Sequence, residues 1–289
     1  MSNEAREPAE RPAFPEYIGR SESTSGRIDA APIELLAAML DRRFEEMSPD
    51  GALPPLWHWL LLQKPVLQSE IGPDGHPKRG GGLIPPITYP RRMFAGSRIR
   101  FTAPLHVGEE VERTTTIRSI KPKSGRSGNL IFVTLVHEFR GPRGLALTEE
   151  QDLVYRDIEG SKPAPRQPSS DRGPPDGFSV VETVHPDPVL LFRYSAAAVL
   201  SHRIHYDLDY VRTVEGYTNL IVHGPLQAIM LADMVTRRMR RTLAGFEFRM
   251  LKPIFVDTPF YCAAREENGK VLAQTLDQTH DVCLAAIAE

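Results

Sequence analysis

The chain has 289 residues, of which 41% are hydrophobic and 25% charged, with a formal net charge of -2. That is the composition of a globular protein long enough for one large domain or two ordinary ones, with no global electrostatic pull toward nucleic acid or membrane. No run of about 18 apolar residues offers a membrane span, and the two cysteines, Cys262 and Cys283, lack CxxC spacing, which excludes an obvious zinc site or disulfide framework and suits a reduced cytoplasm.

Residues 1–29 are polar and proline-containing, without the apolar core of a secretory signal, and read as a flexible arm. Order is expected from Ala30. Residues 32–44 place Ile33, Leu36, Met39, Leu40 and Phe44 at helical spacing, with Asp29 or Pro32 suited to the start. Leu53–Gln63 holds both tryptophans of the chain and reads as a short apolar helix, in which Trp57 either packs in the core or touches a ligand. Residues 69–92 are dense in Gly and Pro, and a loop of that length in a compact domain is expected to bind something. Its basic residues Lys78, Arg79, Arg91 and Arg92 either meet the phosphates of a nucleotide-bearing ligand or form a solvated basic surface.

Residues 100–107, 110–121, 130–140 and 145–156 read as four strands of an antiparallel meander, with Gly-rich turns between them. Residues 159–177 have the composition of a linker, which places a domain boundary near residue 165. The second half then repeats the first. Phe101-Thr-Ala-Pro-Leu-His-Val107 matches Met250-Leu-Lys-Pro-Ile-Phe-Val256, with Pro104 and Pro253 separated by 149 positions (253 minus 104). Two α+β domains of like topology follow from this repeat. Residues 226–243 form one long helix with Pro225 at its first position and an apolar face of Leu226, Ile229, Met230, Met234 and Val235. Arg237, Arg238, Arg240 and Arg241 crowd its last turns, where cations suit the helix dipole; no aromatic residues are interleaved to stack bases.

Chemistry concentrates between Phe192 and Met230. His202, Arg203, His205, Tyr206 and Asp207 fall within six positions, and about twenty residues later His223-Gly224-Pro225-Leu226 joins an apolar strand-like run to the long helix. Such a junction presents free backbone N–H groups to an anion or a developing negative charge. For any single histidine a hydrogen-bonded structural role is the default, and the pairing with the helix start raises His205 above it.

Several segments together resemble the MaoC-like hydratases and dehydratases of acyl thioesters, from about Ala30 onward. In the first half they are Leu53-Pro-Pro-Leu-Trp-His-Trp, Gly72-Pro-Asp-Gly-His-Pro and Tyr89-Pro-Arg-Arg-Met-Phe-Ala-Gly96; these are similar to the branch of itaconyl-CoA and mesaconyl-CoA hydratases and type 2 hydroxyacyl-thioester dehydratases. In the second half they are Phe192-Arg-Tyr-Ser-Ala, His202-Arg-Ile-His-Tyr-Asp207, Val214-Glu-Gly-Tyr217 and Val222-His-Gly-Pro-Leu226. The resemblance implies an α+β double hot-dog, each half a curved antiparallel sheet wrapped around a central helix. Residues 30–160 would be a dehydratase-like, substrate-binding hot-dog, 161–177 the linker, and 178–289 a MaoC-like catalytic one. The family's signature, Asp-x-Asn-Pro-x-His, laid with its His on His205, puts Leu200 at the acid position, and the Asn usual there in the narrower branch is absent too.

The resemblance further implies reversible hydration of an enoyl-CoA, or dehydration of a 3-hydroxyacyl-CoA, on a mesaconyl- or itaconyl-type acyl group or another. His205 is the expected base, the Gly224 N–H the oxyanion donor, and His202 a holder of water in place of the missing partner. Arg203 either binds a substrate carboxylate or pairs with Glu215 or Asp207. His223 either bonds backbone or takes part in catalysis, Asp207 either orients an imidazole or caps a turn, and Tyr194, Ser195 and Tyr206 either line the pocket or pack. Arg91, Arg92 and Trp57 complete the expected substrate contacts. No metal and no cofactor other than the CoA of the substrate is expected, and neither is a nucleic-acid or membrane partner. The chain is expected to act as a monomeric pseudo-dimer or as a homo-oligomer. A thioesterase and a non-catalytic acyl-thioester-binding protein are the competing readings, the latter prompted by Leu200.

Overall fold

The computed structural model describes residues 13–125, 128–157 and 171–289. Its first half contributes strands β1 (Ser21–Arg27), β2 (Arg91–Phe101), β3 (Glu110–Gly125), β4 (Gly128–Gly141) and β5 (Gly144–Arg156). The second contributes β6 (Val180–Val184), β7 (Gly245–Met250), β8 (Phe260–Glu267), β9 (Lys270–Asp277) and β10 (Val282–Ala288). They form one sheet in the order β1-β3-β4-β5-β2-β7-β10-β9-β8-β6. Five strands of one half therefore meet five of the other edge to edge, and the order of the second half is the first reversed. The seam is the antiparallel pair β2–β7, running from Gly96↔Arg249 to Arg100↔Gly245. Gly96 makes that approach possible, because a Cβ there would stand 2.3 Å from the Phe248 carbonyl oxygen.

The helices are α1 (Ala30–Met39), α2 (Phe44–Met47), α3 (Pro188–Ala197), α4 (Leu208–Tyr210) and α5 (Gly224–Arg238). Asp29 and Asp187 cap α1 and α3 with their carboxylates, on Ala31 N and Leu190 N. Helix α5 packs on β7, β8, β9 and β10. Eight of its fifteen residues are buried, including Leu226, Ile229, Met234 and Val235, as an enclosed central helix requires. Among the described residues no helix is long and apolar enough to cross a membrane. Both cysteines are buried, and neither forms a disulfide among the described residues.

The repeat noted in the sequence is a structural one, shifted by one role. Residues 101–107 and 250–256 are not strands but the exits from β2 and β7. Thr102 and Ala103 both donate to the Ala146 oxygen, and Leu251 and Lys252 likewise both donate to the Cys283 oxygen. Each exit then bonds back to the segment before a helix start: Leu53 N to Leu105 O at 2.7 Å, and Val222 N to Ile254 O at 2.8 Å. By this match Pro54 and Pro55 occupy the places of His223 and Gly224.

Other expectations need correction. The arm of residues 1–29 is ordered from residue 13 on, because β1 pairs with β3 from Ser21↔Thr116 to Arg27↔Glu110; residues 1–12 lie outside the described part, as do the presumed boundary near 165 and most of the linker. The helix expected over 53–63 is a single 3-10 turn, Trp57–Leu60, bounded by left-handed residues at Leu56 (φ 73) and Leu62 (φ 54). Among the described residues the first half therefore has only this turn where the second half starts α5. Of the expected meander only β3-β4-β5 is one; β2 starts nine residues earlier than expected and crosses to pair with β5. Helix α5 stops at Arg238, five residues short of the expected end, as the chain turns at Arg240 (φ 54) toward β7.

The first half encloses a polar cluster of its own. Glu149, 1% exposed, accepts from Ser97 Oγ at 2.6 Å and Trp59 Nε1 at 3.0 Å and pairs with His58 Nε2 at 3.0 Å. Burial alone would raise this carboxyl, but the His58 contact and the Ser97 bond hold it down at about 2.

Candidate active site

Three pieces of the second half converge at the start of α5. Helix α3 points Tyr194 and Ser195 inward, and the turn Arg203–His205 carries His205 into the core, 6% exposed. The run Leu220–Val222 ends in His223, whose backbone N-caps α5. His205 Nδ1 lies 2.7 Å from the Ile221 carbonyl oxygen. A carbonyl can only accept, so Nδ1 carries the proton and Nε2 keeps the lone pair. The His205 ring stacks on His223, centroids 3.6 Å apart and planes 19° from parallel, and Ser195 Oγ lies 2.9 Å from His223 Nε2. His223 Nδ1 is buried without a partner among the described residues. Pro225 follows Gly224 at the helix start, where the first N–H groups have no preceding turn to accept them.

A fourth piece comes from the first half. Residues 72–77 fold over the 201–203 segment: Ser201 Oγ donates to the Gly75 oxygen at 2.6 Å, and Arg203 N to the Asp74 oxygen at 2.9 Å. Asp74 accepts from the backbone N of His76 at 3.0 Å and faces its Nδ1 at 3.3 Å. The His76 ring lies 4.1 Å from His202, which is 5.5 Å from His205. The result is a row His76–His202–His205–His223 that crosses from one half of the chain to the other, with a carboxylate at one end and a serine at the other.

Electrostatics keep three of these imidazoles, His202, His205 and His223, neutral. Burial pulls His205 down to about 4, outweighing the hydrogen bond to Ile221. Burial and the neighbouring imidazoles His76 and His205 pull His202 down to about 2, and burial with the same kind of crowding holds His223 well below its usual value. For Asp74 burial acts upward, but the His76 hydrogen bonds prevail and set the carboxyl at about 2, so it is ionised. Among the described residues no group of three or more His, Cys, Asp or Glu could hold a metal ion.

Beside the row opens a cleft lined by Asp74, Arg91, Arg92, His202, Glu215 and Tyr217, among others. The start of β2 supplies both arginines. Arg91, 8% exposed, donates to the Glu215 backbone oxygen at 2.6 Å, stands 3.3 Å from its carboxylate and lies over the Tyr217 ring.

Of the residues expected from sequence, His202, His205, His223, Gly224, Arg91 and Arg92 lie together, and the side chains of three others are committed to different contacts. Trp57 is 1% exposed and packs on Phe44, so it is core. Arg203 is bound to Asp207 at 2.7 Å and to the Pro73 oxygen at 2.9 Å, which leaves its fork occupied. Tyr206 is 49% exposed, and its hydroxyl donates to the Ser201 oxygen. Asp207 is the cap of α4, accepting from Tyr210 N, and Arg79 braces its own loop through the Ile87 and Pro90 oxygens. Asp74 and His76 were not singled out in the sequence. Their signal was present in Pro73-Asp-Gly-His-Pro77, where Asp caps a tight turn inside a loop too long to be idle.

Comparison with known proteins places the chain in a family and a fold. The model of the family described as hydroxyacyl-thioester dehydratase type 2 matches residues 56–256. The chain is 42% identical over 273 residues to the mesaconyl-C(4)-CoA hydratase of Chloroflexus aurantiacus, covering 94% of this chain and 96% of that one. Among solved structures, HtdX of Mycobacterium tuberculosis superposes with a TM-score of 0.66 at 16% identity, covering 93% of this chain and 99% of the other. A second protein of that organism, described as having a double hotdog fold, superposes with a TM-score of 0.53 at 13% identity, covering 94% and 95%. These two likenesses concern the fold, and they identify it as a double hot-dog.

Proposed function

The chain belongs to the hydroxyacyl-thioester dehydratase type 2 family, and from that premise we propose that it is a hydro-lyase adding water reversibly across the α,β double bond of an acyl-CoA. The observation that carries this is the tautomer of His205. With Nδ1–H committed to Ile221, Nε2 is a buried, neutral base at the mouth of a helix start.

In the hydration direction, Nε2 of His205 takes a proton from water as the water oxygen bonds to Cβ. The π electrons move through Cα to the thioester oxygen, and the Gly224 N–H stabilises the enolate-like charge there. His205 then returns the proton to Cα on the same face, which gives syn addition and restores the neutral imidazole. His202, set between His76 and His205, holds the attacking water in the place that Leu200 leaves vacant. Asp74, ionised and bonded to His76, orients that pair from the first half of the chain. No cofactor other than the CoA of the substrate enters the cycle.

The thioesterase reading loses its carboxylate. Asp233, on the central helix, is bound by Arg42 and Arg237 and is absent from the cleft. The test is to incubate the protein with mesaconyl-C4-CoA and crotonyl-CoA and follow enoyl-thioester absorbance together with free thiol. Loss of absorbance with the thioester intact is expected; release of free CoA with the double bond retained would overturn the assignment.

A further inference from the structure

Charge around the cleft does not balance. Its two carboxylates are already engaged, Glu215 by Arg91 at 3.3 Å and Asp74 by the side chain and backbone of His76. The third arginine near it, Arg203, is held by Asp207 and Pro73. Arg92 lines the same cleft on the next position of β2, part-buried, and among the described residues no carboxylate, carbonyl or ring engages its guanidinium. It shares the lining of the cleft with His202, and its charge is one of the causes that hold that imidazole down. A part-buried guanidinium without a partner retains its five donors for a planar anion that enters with the substrate.

We propose that Arg92 is a specificity-determining residue that binds a free carboxylate on the acyl chain, so that the site prefers enoyl thioesters derived from dicarboxylic acids. This rests on the hydratase reading and deepens it. Two features favour the acyl group over the phosphates of CoA as the source of the anion. The cleft that Arg92 lines is shared with His202, next to the base, whereas a phosphate lies at the far end of the pantetheine arm from the reacting double bond. Arg91 and Glu215 form a neutral wall beside Arg92, so the net positive charge of that wall is localised on one guanidinium. Bidentate pairing there would also fix the acyl chain against rotation, with Cβ toward His205.

The experiment compares wild type, Arg92→Met and Arg92→Lys on three substrates: mesaconyl-C4-CoA, crotonyl-CoA, and the N-acetylcysteamine thioester of mesaconate, which keeps the carboxylate and lacks every phosphate. For Arg92→Met, the ratio of kcat/KM on mesaconyl-C4-CoA to that on crotonyl-CoA is expected to fall about 10- to 100-fold, mainly through KM. The phosphate-free thioester should suffer the same loss, and Arg92→Lys should restore part of it. Equal losses on the two CoA thioesters, with the phosphate-free substrate spared, would assign Arg92 to CoA phosphate and overturn the proposal. An unchanged ratio in a variant that still hydrates crotonyl-CoA would overturn it as well. Wild-type protein that hydrates none of the three would instead bring down the hydratase reading, and Arg92's role with it.

Discussion

At the scale of the residue, the site is governed by what His205 gives up. Its Nδ1 proton is spent on Ile221, and burial keeps the ring neutral with a pKa of about 4. The sign is the reverse of the histidine switch common near neutral pH. The acid limb of kcat/KM is expected near pH 4, and a limb near 6.5 in wild type would show that an exposed imidazole, not His205, is the base. His205→Ala should lower kcat by about 10²- to 10⁴-fold with the protein still folded; full activity would disprove the assignment. Sequence led to His205 and His202 because two imidazoles and a helix start lay close along the chain. It did not lead to Asp74 and His76, which stand some 130 residues earlier and meet His202 only through tertiary contact.

Elements bring those partners in, and one loop matters most. Residues 72–77 were legible as a binding loop from their length and Gly/Pro density, but not as the donor of His76, one of the four imidazoles of the row. Their approach depends on Gly75, at φ +88, where a Cβ would fall 1.8 Å from the Ser201 oxygen. Gly75→Ala must lift the loop and move His76 away from His202. Since misplacement by about 1 Å can cost 10²-fold in rate, kcat should fall by about that factor with only a modest change in Tm. Activity within about twofold of wild type would mean that the first-half loop takes no part. The helix start makes a second element-scale case. Gly224→Pro should remove the oxyanion donor and cost about 10²- to 10³-fold in kcat, while a proline at the first helical position keeps the hydrogen bonds of α5 and requires only the flexible Met250 side chain to give way. Strand β1 shows why other elements were missed. Ser-Glu-Ser-Thr-Ser-Gly-Arg has no hydrophobic period, and its extended form comes only from pairing with β3.

For the whole molecule, duplication was legible where seven residues repeated, and the divergence of the halves was not. Pro54-Pro55 stands where His223-Gly224 does, and Pro55 has no N–H to offer, so the first half keeps the fold and lends a loop in place of a second site. Seating the row between halves has a cost that pH exposes. His202, His205 and His223 are neutral when folded, whereas in the unfolded chain each protonates near pH 6.5. For groups with depressed folded pKa values, the unfolded state binds more protons as pH falls below 6.5, and stability falls with it. Each such imidazole contributes a slope of about 1.4 kcal/mol per pH unit until its folded value is reached. Below about pH 4.5, protonation of the unfolded counterparts of Glu149 and Asp74, both near 2 in the fold, adds a loss of the same sign. Denaturant unfolding at pH 7, 6 and 5 should therefore show stability decreasing at each step, more steeply than one proton explains. His205→Ala should reduce the slope between pH 6 and 5 by about one proton. A flat profile from pH 7 to 5 would mean that the imidazole row is open to solvent, and with it the dry, neutral base on which the hydration step depends.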